Sequence, residues 1–323
     1  MRSIQSRHSF PLSSVKPLEE QHNYRGYCLQ ATRRALHGGS RQRKISPLTG
    51  TKLRPYGEVE GFMYLQCEET GSLFLAELPA DPHRWGELLS EVNRYRRSPE
   101  AFQLGLAQSR TDNVYTPKLE WIQETLRLQE MIRPQILEAM IPPSSFTPLL
   151  KESGSFSEVL TIGDMELAAV PQGESQPLVQ TAVLLESLDR VDDPGAVLNG
   201  VAARLAQGGL LFITALVASG FDLAVLGARN LYLYPPDRAN CFSLKGLMML
   251  LKAAGFTLLE VSTPGVLDVE IVRAHVQQNP GVALSAFERQ LIEADRETHT
   301  AFQAFLQQRG LSSFARVVAR KSS

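Results

Sequence analysis

The pattern of apolar and polar positions is clearest between Gln180 and Ala215. Thr181–Glu186 opens as an apolar run suited to a buried strand. Asp192-Asp193-Pro194 stops it and opens a helix, with the proline near the first helical position. Val197, Val201 and Leu205 form an apolar stripe at near-helical spacing, and Gly208-Gly209 reads as the end of that helix. Leu210-Leu211-Phe212-Ile213 then reads as a second buried strand. Burying each such side chain contributes roughly 1.5–3 kcal/mol, which places this strand centrally. Strand, helix, strand with short connections predicts a βαβ unit of a parallel sheet.

The same rhythm extends on both sides. Gln135–Met140 and Phe156–Ile162 read as strands flanking a helix over Phe146–Glu152. Phe242–Ala254 reads as an amphipathic helix with Ser243 as its N-cap, stopped at Gly255 and followed by a strand over Thr257–Ser262. Pro280–Gly310 reads as one long helical region, and Phe314–Ala319 as a closing strand that pairs antiparallel with Thr257–Ser262. The expected fold is α/β and Rossmann-like, a seven-strand mixed sheet with helices on both faces, provided that a weak third strand lies within Met165–Pro177.

Ahead of this domain (134–323) the pattern changes. Residues 81–133 read as helical, with Trp85, Leu88, Leu89, Val92 and Tyr95 on one stripe and Leu119, Ile122, Leu126 and Met131 on another. Tyr115-Thr116-Pro117 is expected to break the two. In residues 45–80, Ser46-Pro47-Leu48-Thr49-Gly50 is echoed by Cys67-Glu68-Glu69-Thr70-Gly71, with a strand between them. Two such turns joined by a hairpin are the layout of a zinc ribbon, in which each turn carries C-x-x-C-G. The ligand positions here are Ser46, Thr49, Cys67 and Thr70. One sulfur of four does not suit a borderline-soft metal, so a degenerate, metal-free ribbon-like module is expected.

Charge adds an asymmetry that the net value of −1 hides. Residues 1–55 carry eleven Lys and Arg against two acids, whereas the remainder carries 22 against 32. A basic arm (1–44), weakly ordered over its first 20 residues and with a helix near Tyr24–Leu36, thus precedes an acidic body. It is expected to lie on that body or to dock an acidic partner protein. The arm lacks the interleaved aromatics of a base-stacking platform, which counts against nucleic acid. No apolar run is long enough for a membrane span, and three scattered cysteines suit a reducing cytoplasm better than a disulfide framework.

Several segments resemble class I S-adenosylmethionine (SAM)-dependent methyltransferases. They are Glu186–Val197, Ala206–Thr214, Gly220–Gly227, Pro235–Ser243, Ala254–Phe256 and Ser262–Ile271. Taken in order, with the end at Phe302–Lys321, they are most similar to a bacterial subgroup with an N-terminal zinc ribbon and a C-terminal extension. The resemblance implies SAM contacts at Glu138, Asp164 and Glu186.

The chemistry-bearing segments depart from the family. Its glycine-rich loop E/D-x-G-x-G-x-G is here Glu138-Ala139-Met140-Ile141-Pro142-Pro143-Ser144, without a glycine and with two prolines that cannot donate an amide. Histidines of the family's E-H, P-P-D-H and S-S-H patterns become Arg190, Arg238 and Phe314. The remaining six histidines are expected at the surface, and Cys241 in the core. No catalytic residue is assigned. The expectation is a methyltransferase-like pseudoenzyme that acts through protein contacts and holds no cofactor. The alternative is an active SAM-dependent methyltransferase on a sugar or nucleotide-sugar, and a third reading is a non-catalytic small-ligand binder in the old cleft.

Overall fold

The computed structural model describes residues 11–98, 104–140, 144–163, 166–167 and 178–322. Helix α1 (Leu18–Leu36) starts six residues before the expected Tyr24 and buries Tyr24, Cys28, Leu29 and Ala31. Its basic side chains meet the body: Arg25 pairs with Glu60 and Arg34 with Glu91, and farther on Arg41 reaches Asp192. The described part of the arm, residues 11–44, therefore lies on its own acidic body.

Next comes the β module. Strand β1 (Ser40–Gln42) is followed by β2 (Arg54–Val59), β3 (Phe62–Gln66), β4 (Leu73–Leu75) and β5 (Glu77–Pro79). β2 and β3 form the expected antiparallel hairpin, and β4 continues the sheet. The two echoed turns fold alike. Gly50 and Gly71 hold φ of 69° and 76°, and their amides return to the carbonyls of Ser46 and Cys67. Ser46, Thr70 and Thr49 all hydrogen-bond to the Cys67 thiol, bringing the four positions of the repeat together. Among the described residues, no group of His, Cys, Asp and Glu could hold a metal.

Helix α2 (Pro82–Tyr95) is capped by Asp81 and buries Trp85, Leu88, Leu89 and Val92. Helices α3 (Leu104–Arg110) and α4 (Thr116–Leu128) correct the expected break at Tyr115–Pro117. A π-helical turn, Thr111–Tyr115, joins them without interruption. A π turn widens the coil ahead of Pro117, which has no amide to donate and whose ring crowds the preceding turn.

The main sheet begins with β6 (Gln135–Met140), followed by α5 (Thr147–Glu152), β7 (Glu158–Gly163), β8 (Val179–Leu185), α6 (Pro194–Arg204) and β9 (Leu205–Leu216). Then come α7 (Phe221–Leu226), β10 (Asn240–Cys241), α8 (Leu244–Ala253), β11 (Phe256–Ser262), α9 (Asp268–Gln278), α10 (Ala286–Ile292), α11 (Arg296–Arg309) and β12 (Phe314–Lys321). The strand order is β11-β12-β9-β8-β6-β7, six strands among the described residues where seven were expected. Most of the stretch searched for a third strand lies outside the described residues. β6 through β9 are mutually parallel, while β12 runs antiparallel to both its neighbours.

The alternation along β9 explains the layering. Leu211, Ile213 and Ala215 pack with Val197, Val201 and Leu247 on one face, whereas Leu210 and Phe212 pack with Ile122, Trp121 and Leu150 on the other. Helices therefore cover both faces. Two boundaries differ from expectation. Helix α6 passes directly into β9, and Gly208-Gly209 lie in a bulge inside the strand, between the pairings Val179–Leu205 and Thr181–Leu210. The C-terminal helical region is divided into α10 and α11, preceded by the unexpected α9. These helices bury His275 and His299, both expected at the surface; His299 Nε2 lies 2.9 Å from the Leu291 carbonyl oxygen. Cys241 is buried, as expected. No helix of the described residues is long and apolar enough to cross a membrane.

Candidate functional site

The carboxyl ends of β6 and β8 open onto two adjoining hollows, the usual place for ligands in open α/β sheets. The first, of ≈ 100 Å³, is bounded by Glu138, Ser144–Phe146 and Glu186–Ser187 on the sheet side and by Arg96, Tyr115 and Lys118 above. The second, of ≈ 190 Å³, continues past Glu186 to Lys16, Tyr24, Asp222, Tyr232 and Arg238. Arg96, Arg110, Lys118 and Glu186 line both.

Of the three residues the family resemblance assigns to the cofactor, Glu138 and Glu186 face the first hollow, at neighbouring strand ends. Asp164 lies outside the described residues. Glu138 is buried and accepts hydrogen bonds from Ser144 Oγ and Thr147 Oγ1. Burial pushes its carboxyl up, although those two hydroxyls oppose the shift. Ser144 Oγ also accepts from the amides of Phe146 (2.9 Å) and Thr147 (3.3 Å). One hydroxyl thus satisfies both the strand-end acid and the amides that open α5.

Glu186 ends β8 with φ of 56°, a left-handed conformation uncommon outside glycine. Its surroundings hold it there. Lys118 Nζ lies 3.2 Å from one carboxylate oxygen and Arg238 Nη2 lies 3.0 Å from the other. Burial alone would raise this carboxyl, but the cations outweigh it and hold it well below the ordinary range. Arg238 also approaches Asp189 at 3.4 Å, and Arg190 pairs with Asp237 at 3.1 Å. Tyr24 donates to the same Asp237 carboxylate from α1.

Arg190 and Arg238, which stand where the resembled family has histidines, are thereby committed to carboxylates. A guanidinium cannot serve as a proton acceptor at neutral pH. Phe314, in the third such place, has Lys118 Nζ 5.2 Å from its ring centroid. Two other groups have altered acidity. Burial, with Arg238 and Arg110 nearby, lowers Lys16 to about 8, and its Nζ stands 3.8 Å over the Tyr232 ring. Burial opposes ionisation of Tyr115, but Arg110, Arg96 and Lys118 outweigh it and bring the phenol down to about 8.

The loop bearing Asp237 and Arg238 is fixed from the N-terminal half. Tyr64 donates to the Arg238 carbonyl at 2.8 Å, Arg43 to the Asn240 side chain at 2.8 Å, and β10 pairs with β4. Helix α1 is therefore a wall of the site, and the β module braces the loop that carries Asp237 and Arg238. Sequence reasoning missed Lys16, Arg96, Tyr115 and Lys118. Lys118 alone left a trace, since it occupies the buried stripe of α4 four residues before Ile122.

Residues 138–261 match a family model described as a methyltransferase domain. A comparison with curated proteins gives no match. Three similar solved structures are methyltransferases by name. A possible histamine N-methyltransferase from Thermotoga maritima is 16% identical, with a TM-score of 0.43 over 74% of this chain and 100% of that one. A Burkholderia thailandensis 1,6-didemethyltoxoflavin-N1-methyltransferase is 13% identical, with a TM-score of 0.41 over 84% and 100%. A putative sarcosine dimethylglycine methyltransferase from Galdieria sulphuraria is 13% identical, with a TM-score of 0.41 over 65% and 87%. At such similarity the chemistry must be read from this chain's own residues.

Proposed function

We propose that this chain carries a methyltransferase-like domain that no longer transfers methyl groups and acts by binding. The observation that carries this reading is Ser144, whose hydroxyl engages Glu138 and the amides of Phe146 and Thr147 at once. In a SAM site these groups face the methionine end of the cofactor. Here they are satisfied internally, and the hollow beside them is walled by Arg96, Arg97, Arg110, Lys118 and Arg190. Those residues do not suit a ligand with a sulfonium charge, so no step is routed through SAM. The partner contact, with an acidic protein, is assigned to the exposed cations Arg33, Lys44 and Lys52.

Titration calorimetry with SAM and its demethylated product tests the first part: micromolar affinity for either overturns it. Deleting residues 1–44 would remove the core face of α1, so the partner is tested on the full chain. Reversing Lys44 and Lys52 to Glu should abolish capture of an acidic protein while leaving the thermal midpoint unchanged; unaltered capture refutes the assignment.

A second reading, an active methyltransferase acting on a sugar or nucleotide-sugar, is favoured by the open hollow at the β6 and β8 ends within the matched residues. SAM binding in the same titration would select it.

A further inference from the structure

We infer that the two hollows form one binding site for a small organic phosphate, with its phosphate at the junction lined by Arg96, Arg110 and Lys118. This deepens the binding role proposed above and rests on the first hollow not being a sulfonium site.

The argument begins with the balance of charge. Five cations line the first hollow, of which Arg190 is paired with Asp237, against two carboxylates, Glu138 and Glu186. Neither carboxylate is available to a ligand: Glu138 is bonded to Ser144 and Thr147, and Glu186 is shared between Lys118 and Arg238. Among the described residues, Lys16 and Arg96 make no ion pair. Arg110 also donates a hydrogen bond to Tyr115, so these cations gather around one buried hydroxyl at the wall of the hollow. Desolvated cations converging from separate elements stabilise a dianion, and guanidinium groups match the oxygens of a phosphate. A carboxylate would neutralise less of this charge.

The second hollow suits the organic part of the same molecule. Tyr232, Tyr234 and Val15 give it apolar faces, while Asp222 and Lys16 give it polar contacts. It is about twice the volume of the first, and both are continuous at Arg96 and Lys118. Lys16, with its Nζ 3.8 Å over the Tyr232 ring, brings a cation to this hollow from the N-terminal segment.

The full chain is titrated calorimetrically with inorganic phosphate, ribose 5-phosphate, ribose and SAM at constant ionic strength. Ribose 5-phosphate should bind, inorganic phosphate should compete with it, and ribose should give no heat. Arg96→Met and Lys16→Met should each weaken ribose 5-phosphate about tenfold or more, the loss expected for one charge-assisted hydrogen bond. Arg96 also stacks over Tyr24, so the thermal midpoint is measured for both variants; Lys16→Met keeps the readout if Arg96→Met fails to fold. Absence of binding by both phosphates, or binding that neither substitution weakens, overturns the inference. SAM binding without phosphate binding overturns it together with the non-catalytic reading. Binding of both overturns only that reading and leaves the phosphate site standing.

Discussion

Arg238 stands 3.4 Å from Asp189, a carboxylate with no exposure to solvent. The other Asp189 oxygen, Oδ1, has no hydrogen-bond partner among the described residues, so the guanidinium and the Leu216 amide, which donates to Oδ2 at 3.1 Å, are what compensate the carboxylate when it is charged. Replacing Arg238 with Met should cost about 3–5 kcal/mol in a urea melt at pH 8, where Asp189 is ionised, because Asp189 loses its partner and Glu186 one of two. Adding Asp189→Asn should restore part of that loss. An Arg238→Met chain as stable as the original would show that the pair contributes nothing.

Stability should depend on pH through two groups held high. Burial pushes Asp189 and Asp222 each up to about 7; Glu186 adds to the shift in the first case and Asp268 in the second. Between about pH 4 and 7 the folded chain holds protons there that the unfolded chain releases, so stability falls as pH rises through that window. Glu186 and Asp237 are held low, and the stability they contribute is lost as pH falls below about 4. The thermal midpoint should therefore peak near pH 4, at roughly the crossing of these windows, and decline toward pH 8. A midpoint that rises steadily from pH 5 to 8 would contradict the assignment of the raised pair.

Much of this was legible in the sequence, and the remainder has a physical reason. Leu210–Ile213 could be read because a strand buried on both faces needs an unbroken apolar run, and the Ser243 cap because it is a local signal. The end of α6 was misplaced because a glycine pair suits a bulge in a strand as well as a helix terminus. His275 and His299 were misread because their burial depends on the packing of α9 to α11, which local polarity does not encode. The site was only half visible. Glu138 and Glu186 are marked by strand ends, but Lys118 and Arg238 reach Glu186 from 68 and 52 residues away. Such partners have no sequence signature of their own.

The echoed turns of the β module offer a constructive test. Ser46, Thr49 and Thr70 already surround the Cys67 thiol, so exchanging all three for Cys should create a four-thiolate site. Metal analysis is expected to find one zinc per chain in the Ser46→Cys/Thr49→Cys/Thr70→Cys variant, with a zinc-dependent rise in thermal midpoint, and none in the natural chain. Zinc retained by the natural chain would refute the metal-free reading.

Two glycines should respond oppositely to alanine. At Gly200 a Cβ would stand 2.0 Å from the Leu167 carbonyl oxygen, so Gly200→Ala should destabilise by about 1–3 kcal/mol. Gly26 lies inside α1 with nothing within 4 Å of the added atom, so Gly26→Ala should stabilise by about 0.5–1 kcal/mol. Denaturant midpoints measured side by side check both signs.

The strand that ends the chain, β12, does not sit at an edge but between β11 and β9. A nascent chain therefore carries an open seam until Phe314–Lys321 are free to pair. Until then β9 and β11 each expose a row of unpaired backbone groups, available to any other strand that passes. Residues 314–321 act as a latch on the sheet, and removing them should leave β9 and β11 unjoined.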